Sequence, residues 1–140
     1  IKFFNGLMQT SMIYLLPFLR HDIEPYLSTK ASCEFLLKNY QVDNMILSSK
    51  FFVRGVKYYT DKEVAVIDIP GKPFFSPHAI PFLNSDGKVR DLLRKQQVTY
   101  CILKKSSVED IDRIVLGEFR YTVLEVIGNE YILKIEALAK

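Results

Sequence analysis

Short apolar runs alternate with helical segments along this chain, and this alternation constrains the fold more than any other feature. Residues 44–48, 63–69 and 98–103 have the length and the aliphatic content of buried strands, and helical patterns separate them. Two strands joined by a helix usually lie parallel in one sheet. The alternation therefore predicts parallel βαβ units with helices on both faces of the sheet.

The first two helices are predicted from a cap and from apolar spacing. Ser28 or Thr29 can cap a helix that runs to about Tyr40 and presents a broad apolar face. Residues 51–60 have apolar side chains on one side, which is typical of a helix that packs against a sheet.

Two further helices follow in the second half of the chain. Ser85 can cap a helix over residues 86–96. Ser106, with Glu109 three residues later, fits a capping box, and Gly117 is placed to end that helix.

The remaining segments complete the predicted fold. Four prolines between residues 70 and 84 exclude a regular helix or a central strand there. Residues 121–127 and 130–137 flank the two-residue turn Gly128-Asn129, which predicts a hairpin. We therefore expect a three-layer α/β/α sandwich: a mostly parallel sheet of about five strands with a C-terminal antiparallel hairpin.

The start of the chain differs from the rest. Because it begins at Ile1 rather than Met, we expect a piece of a longer protein. Residues 3–19 carry no charge, and their apolar side chains recur on one helical stripe. Such an amphipathic helix can pack on the core, leave or lie on a membrane, or pair with a second copy. We divide the chain into a juxtamembrane segment, 1–27, and a soluble α/β domain, 28–140.

Several function classes are excluded by motif and charge. The 140 residues suffice for one domain, and the net charge of +3 without a basic tail argues against nucleic-acid binding. Neither a glycine-rich phosphate loop nor a serine elbow is present. Cys33 and Cys101 lack metal-site spacing, and we expect two buried free thiols.

Two segments have chemical interest because they mix cations with aromatic rings. Residues 50–59 and residues 72–78 both begin just beyond predicted strands, where open α/β sheets bind ligands. In one interpretation the cations hold a phosphate or a carboxylate and the rings hold a sugar or an acyl chain. In the other, the rings are core and the cations form a solvated face. The candidate binding residues are Arg54, Lys57, Tyr58, Tyr59, Phe75 and His78.

A family resemblance begins in the same region. The run SKFFVRGVKYYT at residues 49–60, followed by EVAV at residues 63–66, resembles the soluble C-terminal domain of bacterial membrane glycosyltransferases. These are the dolichyl-phosphate-mannose–protein mannosyltransferases and the aminoarabinose transferases of lipid A. Residues 75–78 and 98–103 are similar to later parts of that domain, in the same order. The resemblance covers most of the chain from about Leu15 onward.

The resemblance implies a polytopic parent enzyme in the cytoplasmic membrane. That enzyme would transfer a sugar from a polyprenyl-phosphate donor to a lipid or protein acceptor, and this domain would lie on the extracytoplasmic, periplasmic side. No position here matches the family's catalytic acid or metal-binding carboxylates, so we expect no catalytic residue, metal ligand or cofactor in this fragment.

The expected partners are the transmembrane portion of the parent, the membrane surface or a polyprenyl-phosphate sugar, and a second copy through the N-terminal helix. The alternative is a stand-alone α/β ligand-binding or protein-interaction domain.

Overall fold

The computed structural model describes residues 29–71 and 80–139, which form an α/β fold of four helices and six strands. The helices are α1 (Lys30–Asn39), α2 (Val53–Thr60), α3 (Asp86–Gln96) and α4 (Lys105–Ile114). The strands are β1 (Ile46–Ser49), β2 (Val64–Ile67), β3 (Phe82–Leu83), β4 (Val98–Leu103), β5 (Phe119–Ile127) and β6 (Glu130–Ala137). The predicted helix over residues 3–19 and the segment 72–78 lie outside the described residues.

The strands form one mixed sheet in the order β3-β2-β1-β4-β6-β5. The first four strands of this order are parallel, and β6 and β5 add the antiparallel hairpin. The predicted fold class is therefore confirmed, with one strand more than expected. The extra strand, β3, has two residues and lies at the sheet edge, where a preceding Pro81 is tolerated because no donor is needed from it.

Helices cover both faces of the sheet, and each face has its own apolar core. Alternate residues of β1 show the division, since Ile46 packs with α1 and α2 whereas Leu47 packs with α3 and α4. Both β1 and β2 are buried along their whole length, as expected for central parallel strands. Within the described part of the chain, no helix is long and apolar enough to cross a membrane.

The two cysteines lie on opposite faces of this sheet. Cys33 belongs to the core under α1 and α2, and Cys101 belongs to the core under α3 and α4. Both are buried free thiols, as predicted from the sequence. Burial raises the pKa of the Cys33 thiol to about 11 and raises the pKa of Cys101 further.

The helix ends agree in part with the predicted caps. Ser85 caps α3 by accepting a hydrogen bond from the Lys88 backbone N–H at 3.4 Å, and Gly117 follows α4 with a φ of 80°. The predicted capping box at Ser106 is wrong, because α4 begins at Lys105 and the residue before it, Lys104, donates its backbone N–H to Ser49 of β1.

A close approach of α2 to the start of α1 requires a glycine. A Cβ atom at Gly55 would overlap the hydroxyl oxygen of Thr29, which is buried in front of α1. Gly55 therefore lies mid-helix despite its low helix propensity, because the two backbones would otherwise have to separate.

We predict that Gly55→Ala lowers the free energy of unfolding by about 1–3 kcal/mol, as expected for overpacking. In a Thr29→Ala background the same substitution should be neutral or stabilising, because the overlapping hydroxyl is gone and alanine favours the helix. Gly87→Ala in α3 is the matched control: its Cβ meets nothing within 4 Å, so a gain of up to about 1 kcal/mol is expected. Urea unfolding of all four variants measures these values. Equal effects of Gly55→Ala in both backgrounds would contradict the close-approach argument.

Candidate functional site

The sheet has a topological switch point between β1 and β4. The chain leaves β1 toward β2 and β3 on one side, and it returns to place β4 on the other side of β1. Open α/β sheets bind ligands outside the carboxyl ends of the strands at such a point. The residues there are Ser49, which ends β1, Lys50 after it, Lys104 after β4, and Lys105, which begins α4.

Ser49 connects the two strands at this edge. Its side chain is fully buried, its hydroxyl donates a hydrogen bond to the Ser107 hydroxyl at 2.7 Å, and it accepts one from the Lys104 backbone N–H at 2.9 Å. A serine of β1 thus caps α4 from outside the helix. The sequence signal was a pair of polar residues, Ser48 and Ser49, that end an otherwise apolar buried strand.

The electrostatics of this edge are basic. Lys104 and Lys105 are exposed, and the Lys50 ammonium lies 3.9 Å from the Asp68 carboxylate that follows β2. The Ser49 hydroxyl is hydrogen-bonded to a serine hydroxyl and to a backbone N–H, and neither of these groups can act as a general base. The exposed lysine ammonium groups can attract an anion, whereas the described hydrogen-bond partners of Ser49 do not activate it as a nucleophile.

The predicted binding residues of α2 divide into inward and outward sets. Val53 and Val56 face the core, whereas Arg54, Lys57 and Tyr58 face outward, and Tyr58 is 80% exposed. Tyr59 is half-buried against the core and meets the Tyr58 ring edge-on at 5.0 Å. Phe51, just before the helix, is also exposed, at 67%.

The predicted binding residues of α2 are spread along the helix and do not gather at the carboxyl edge of the sheet. The register of β1 with β2 runs from Ile46↔Val64 to Ser49↔Ile67, so the predicted parallel pairing is confirmed. Helix α2 connects the carboxyl end of β1 with the amino end of β2, and it therefore runs back along the sheet. Lys57 lies at the far end, where its ammonium donates to the Lys62 carbonyl at 3.2 Å. Phe75 and His78 lie outside the described residues.

A second polar cluster, absent from the sequence predictions, lies where α1 meets β6. Glu130 is fully buried, and its Oε2 accepts a hydrogen bond from the Ser32 hydroxyl at 2.5 Å. In the part of the chain that the structure describes, its Oε1 and the Thr29 hydroxyl are buried without a hydrogen-bond partner. Burial raises the pKa of Glu130 to about 7, and the Ser32 hydrogen bond opposes this shift. The only sequence signal was a glutamate that opens a strand directly after a hairpin turn.

Within 29–71 and 80–139, no three His, Cys, Asp or Glu side chains are grouped so that they could hold a metal ion. Two buried polar clusters in this part of the chain, at Ser49 and at Glu130, join elements that are far apart in sequence.

We predict that Ser49→Ala lowers the free energy of unfolding by about 1–3 kcal/mol, because it removes both hydrogen bonds, one of them fully buried, and leaves the part-buried Lys104 N–H without its acceptor. Ser107→Ala should cost less, since it removes one of the two bonds. The exposed Ser106 is the matched control, and Ser106→Ala should change stability by less than about 0.5 kcal/mol. Denaturant unfolding measures all three. A larger loss for Ser106→Ala than for Ser49→Ala would show that the helix cap is local after all.

The chain was compared with protein-family models, with curated proteins and with solved structures, and none of the three comparisons gives a match.

Proposed function

We propose that this chain is an extracytoplasmic accessory domain of a polytopic membrane glycosyltransferase. Its parent would transfer a sugar from a polyprenyl-phosphate donor to a lipid or protein acceptor. The proposal starts from the resemblance of residues 49–66 and from the α/β fold. The observation that carries it is the outward face of α2, where Phe51, Arg54 and Tyr58 are exposed.

The outward face of α2 lies outside the apolar core. Val53 and Val56 already anchor α2 to the sheet, so Phe51 and Tyr58 leave two aromatic rings in water without a role in the core. Covering a large apolar side chain contributes about 1.5–3 kcal/mol. A partner that covers both rings and pairs with Arg54 would therefore gain affinity without any rearrangement of the domain. We propose that this partner is the transmembrane portion of the parent or the adjoining membrane surface.

In this proposal the chemistry belongs to the parent. Among the described residues, Ser49 is hydrogen-bonded to the Ser107 hydroxyl and the Lys104 backbone N–H, neither of which is a base, and no position matches the family's catalytic carboxylates. The domain would orient the catalytic portion or help to shape the entry of the acceptor.

A second candidate is a stand-alone ligand-binding domain. The observation that favours it is the basic carboxyl edge, where Lys104 and Lys105 flank the start of α4 beside the switch point. This arrangement fits a small phosphate-bearing or carboxylate-bearing ligand. Calorimetric titration of the isolated chain with inorganic phosphate and with a sugar phosphate separates the candidates, since saturable binding favours the second.

We predict that the 140-residue chain alone transfers no sugar. An assay with a radiolabelled polyprenyl-phosphate sugar and a lipid or peptide acceptor should give the same counts as a reaction without protein. Transfer above that background, lost on heat denaturation of the chain, would overturn the accessory role.

We further predict that the double substitution Arg54→Ala and Lys57→Ala leaves the isolated domain folded, with stability within about 1 kcal/mol of the parent sequence, because both groups are exposed. In the full-length enzyme it should lower the transfer rate. Lys88→Ala with Lys95→Ala is the matched control, since it removes two exposed cations from α3 on the opposite face of the sheet. An equal transfer rate for the two double variants would contradict the docking role of α2.

A further inference from the structure

The contact between α1 and β6 contains a buried carboxyl group that is only half satisfied. Ser32 of α1 donates to Oε2 of Glu130, the first residue of β6, while Oε1 of Glu130 has no hydrogen-bond partner among residues 29–71 and 80–139. Both residues are fully buried. This hydrogen bond joins residues far apart in sequence, so it depends on α1 being docked.

The charge state of Glu130 decides whether this contact is favourable. An ionised carboxylate with an unpaired buried oxygen is strongly destabilised, because it has lost its water and has gained only one donor. A neutral carboxyl avoids most of that cost, and its proton turns one oxygen into a hydrogen-bond donor. The Thr29 hydroxyl, also buried and unpartnered, belongs to the same end of α1.

We propose that Glu130 and Ser32 form a pH-sensitive latch: α1 is held against β6 while Glu130 carries its proton, and ionisation of Glu130 releases α1. The latch concerns a contact within the domain. It goes beyond the proposed function and does not depend on it.

Among the described residues, no cation compensates the charge of Glu130. Within the described residues, burial and the Ser32 hydrogen bond are the influences that move its pKa, and no positive charge contributes. Cys33 of α1 is a titratable neighbour, and the charge of Glu130 adds to the burial that raises its pKa. Position 55 of α2, which packs on this end of α1, is a glycine without charge. The charged side chains on the packed elements are Lys30, Glu34 and Lys38 of α1, Arg54 and Lys57 of α2, Arg120 and Glu125 of β5, and Lys134 and Glu136 of β6.

The direction of the pH effect follows from the two states. With α1 docked, the pKa of Glu130 is about 7, and with α1 released it returns to the ordinary value of 4.5. The docked state therefore holds the proton more tightly. Docking is strongest below the released-state value, weakens as the pH rises through the interval between the two values, and is weakest above about 7.

The two free cysteines provide a direct measurement of α1 release in the 140-residue chain. Cys33 lies on α1 beside Ser32, whereas Cys101 lies in the central strand β4 and reports only global unfolding. We would label both with N-ethylmaleimide between pH 5 and 8.5 and measure each rate by peptide mass spectrometry. Dividing each rate by the rate of the Glu130→Gln variant at the same pH removes the part of the pH dependence that comes from ionisation of the thiol itself.

For Cys33, the ratio of the wild-type labelling rate to the Glu130→Gln rate should rise by up to about 100-fold with pH and level off above about pH 7.5. The ratio for Cys101 should stay constant. A Cys33 ratio that is independent of pH overturns the latch. A parallel rise at Cys101 also overturns it, because Glu130 would then act on the whole fold rather than on α1.

Two further variants, Ser32→Ala and the control Glu34→Gln, test the latch independently of Glu130→Gln. Ser32→Ala removes the hydrogen bond that favours the ionised form, so the Cys33 profile, normalised to the unfolded chain, should move to higher pH. This comparison stands even if Glu130→Gln does not fold, and an unshifted profile would contradict the latch. Glu34→Gln changes an exposed charge near the thiol without touching the Ser32–Glu130 contact, and its profile should match the wild type.

Discussion

Burial of the central sheet on both faces is the constraint on which the rest of this structure depends. Strands β1 and β2 have no exposed residue, so each face needs its own layer of helices. The chain meets this need by sending α1 and α2 to one face and α3 and α4 to the other. Every polar group that enters the sheet region must then find a partner within the fold, because water does not reach it.

The same constraint determines where exposed chemistry can lie. A helix that links parallel strands runs antiparallel to them, so the side chains of α2 are spread from the carboxyl edge of the sheet to its amino edge. Arg54 and Lys57 therefore belong to one continuous helix face rather than to a rim pocket. Such a face suits a broad partner better than a small ligand, whereas the basic switch-point edge beside Ser49 suits a small anion.

Sequence reasoning reached the parallel sheet, the helices around it and the hairpin because these follow from local periodicity and turn residues. It failed where a long-range contact overrides a local signal. The Ser106 and Glu109 pattern resembles a capping box, yet a serine of β1 supplies the cap and α4 begins at Lys105. The sequence pattern placed residue 130 only at the start of a hairpin strand, whereas in the fold Glu130 is buried where α1 docks on β6. The α2 residues were correctly placed next to β1, but their spread along the helix follows from the direction of the crossover.

The two buried polar contacts differ in a way that assigns them different roles. At Ser49, the hydroxyl donates one hydrogen bond and accepts another, both partners are neutral, and no change of pH near neutrality alters them. At Glu130, one oxygen is bonded, the other is not, and burial brings the pKa of the group to about 7. A fully satisfied neutral contact stabilises one arrangement under all ordinary conditions, which suits the junction of β1 with α4. A half-satisfied ionisable contact stabilises its arrangement only in one charge state. It joins the sheet to α1, the first described helix of the chain, so a change of charge there loosens an outer helix while the sheet beneath it stays paired.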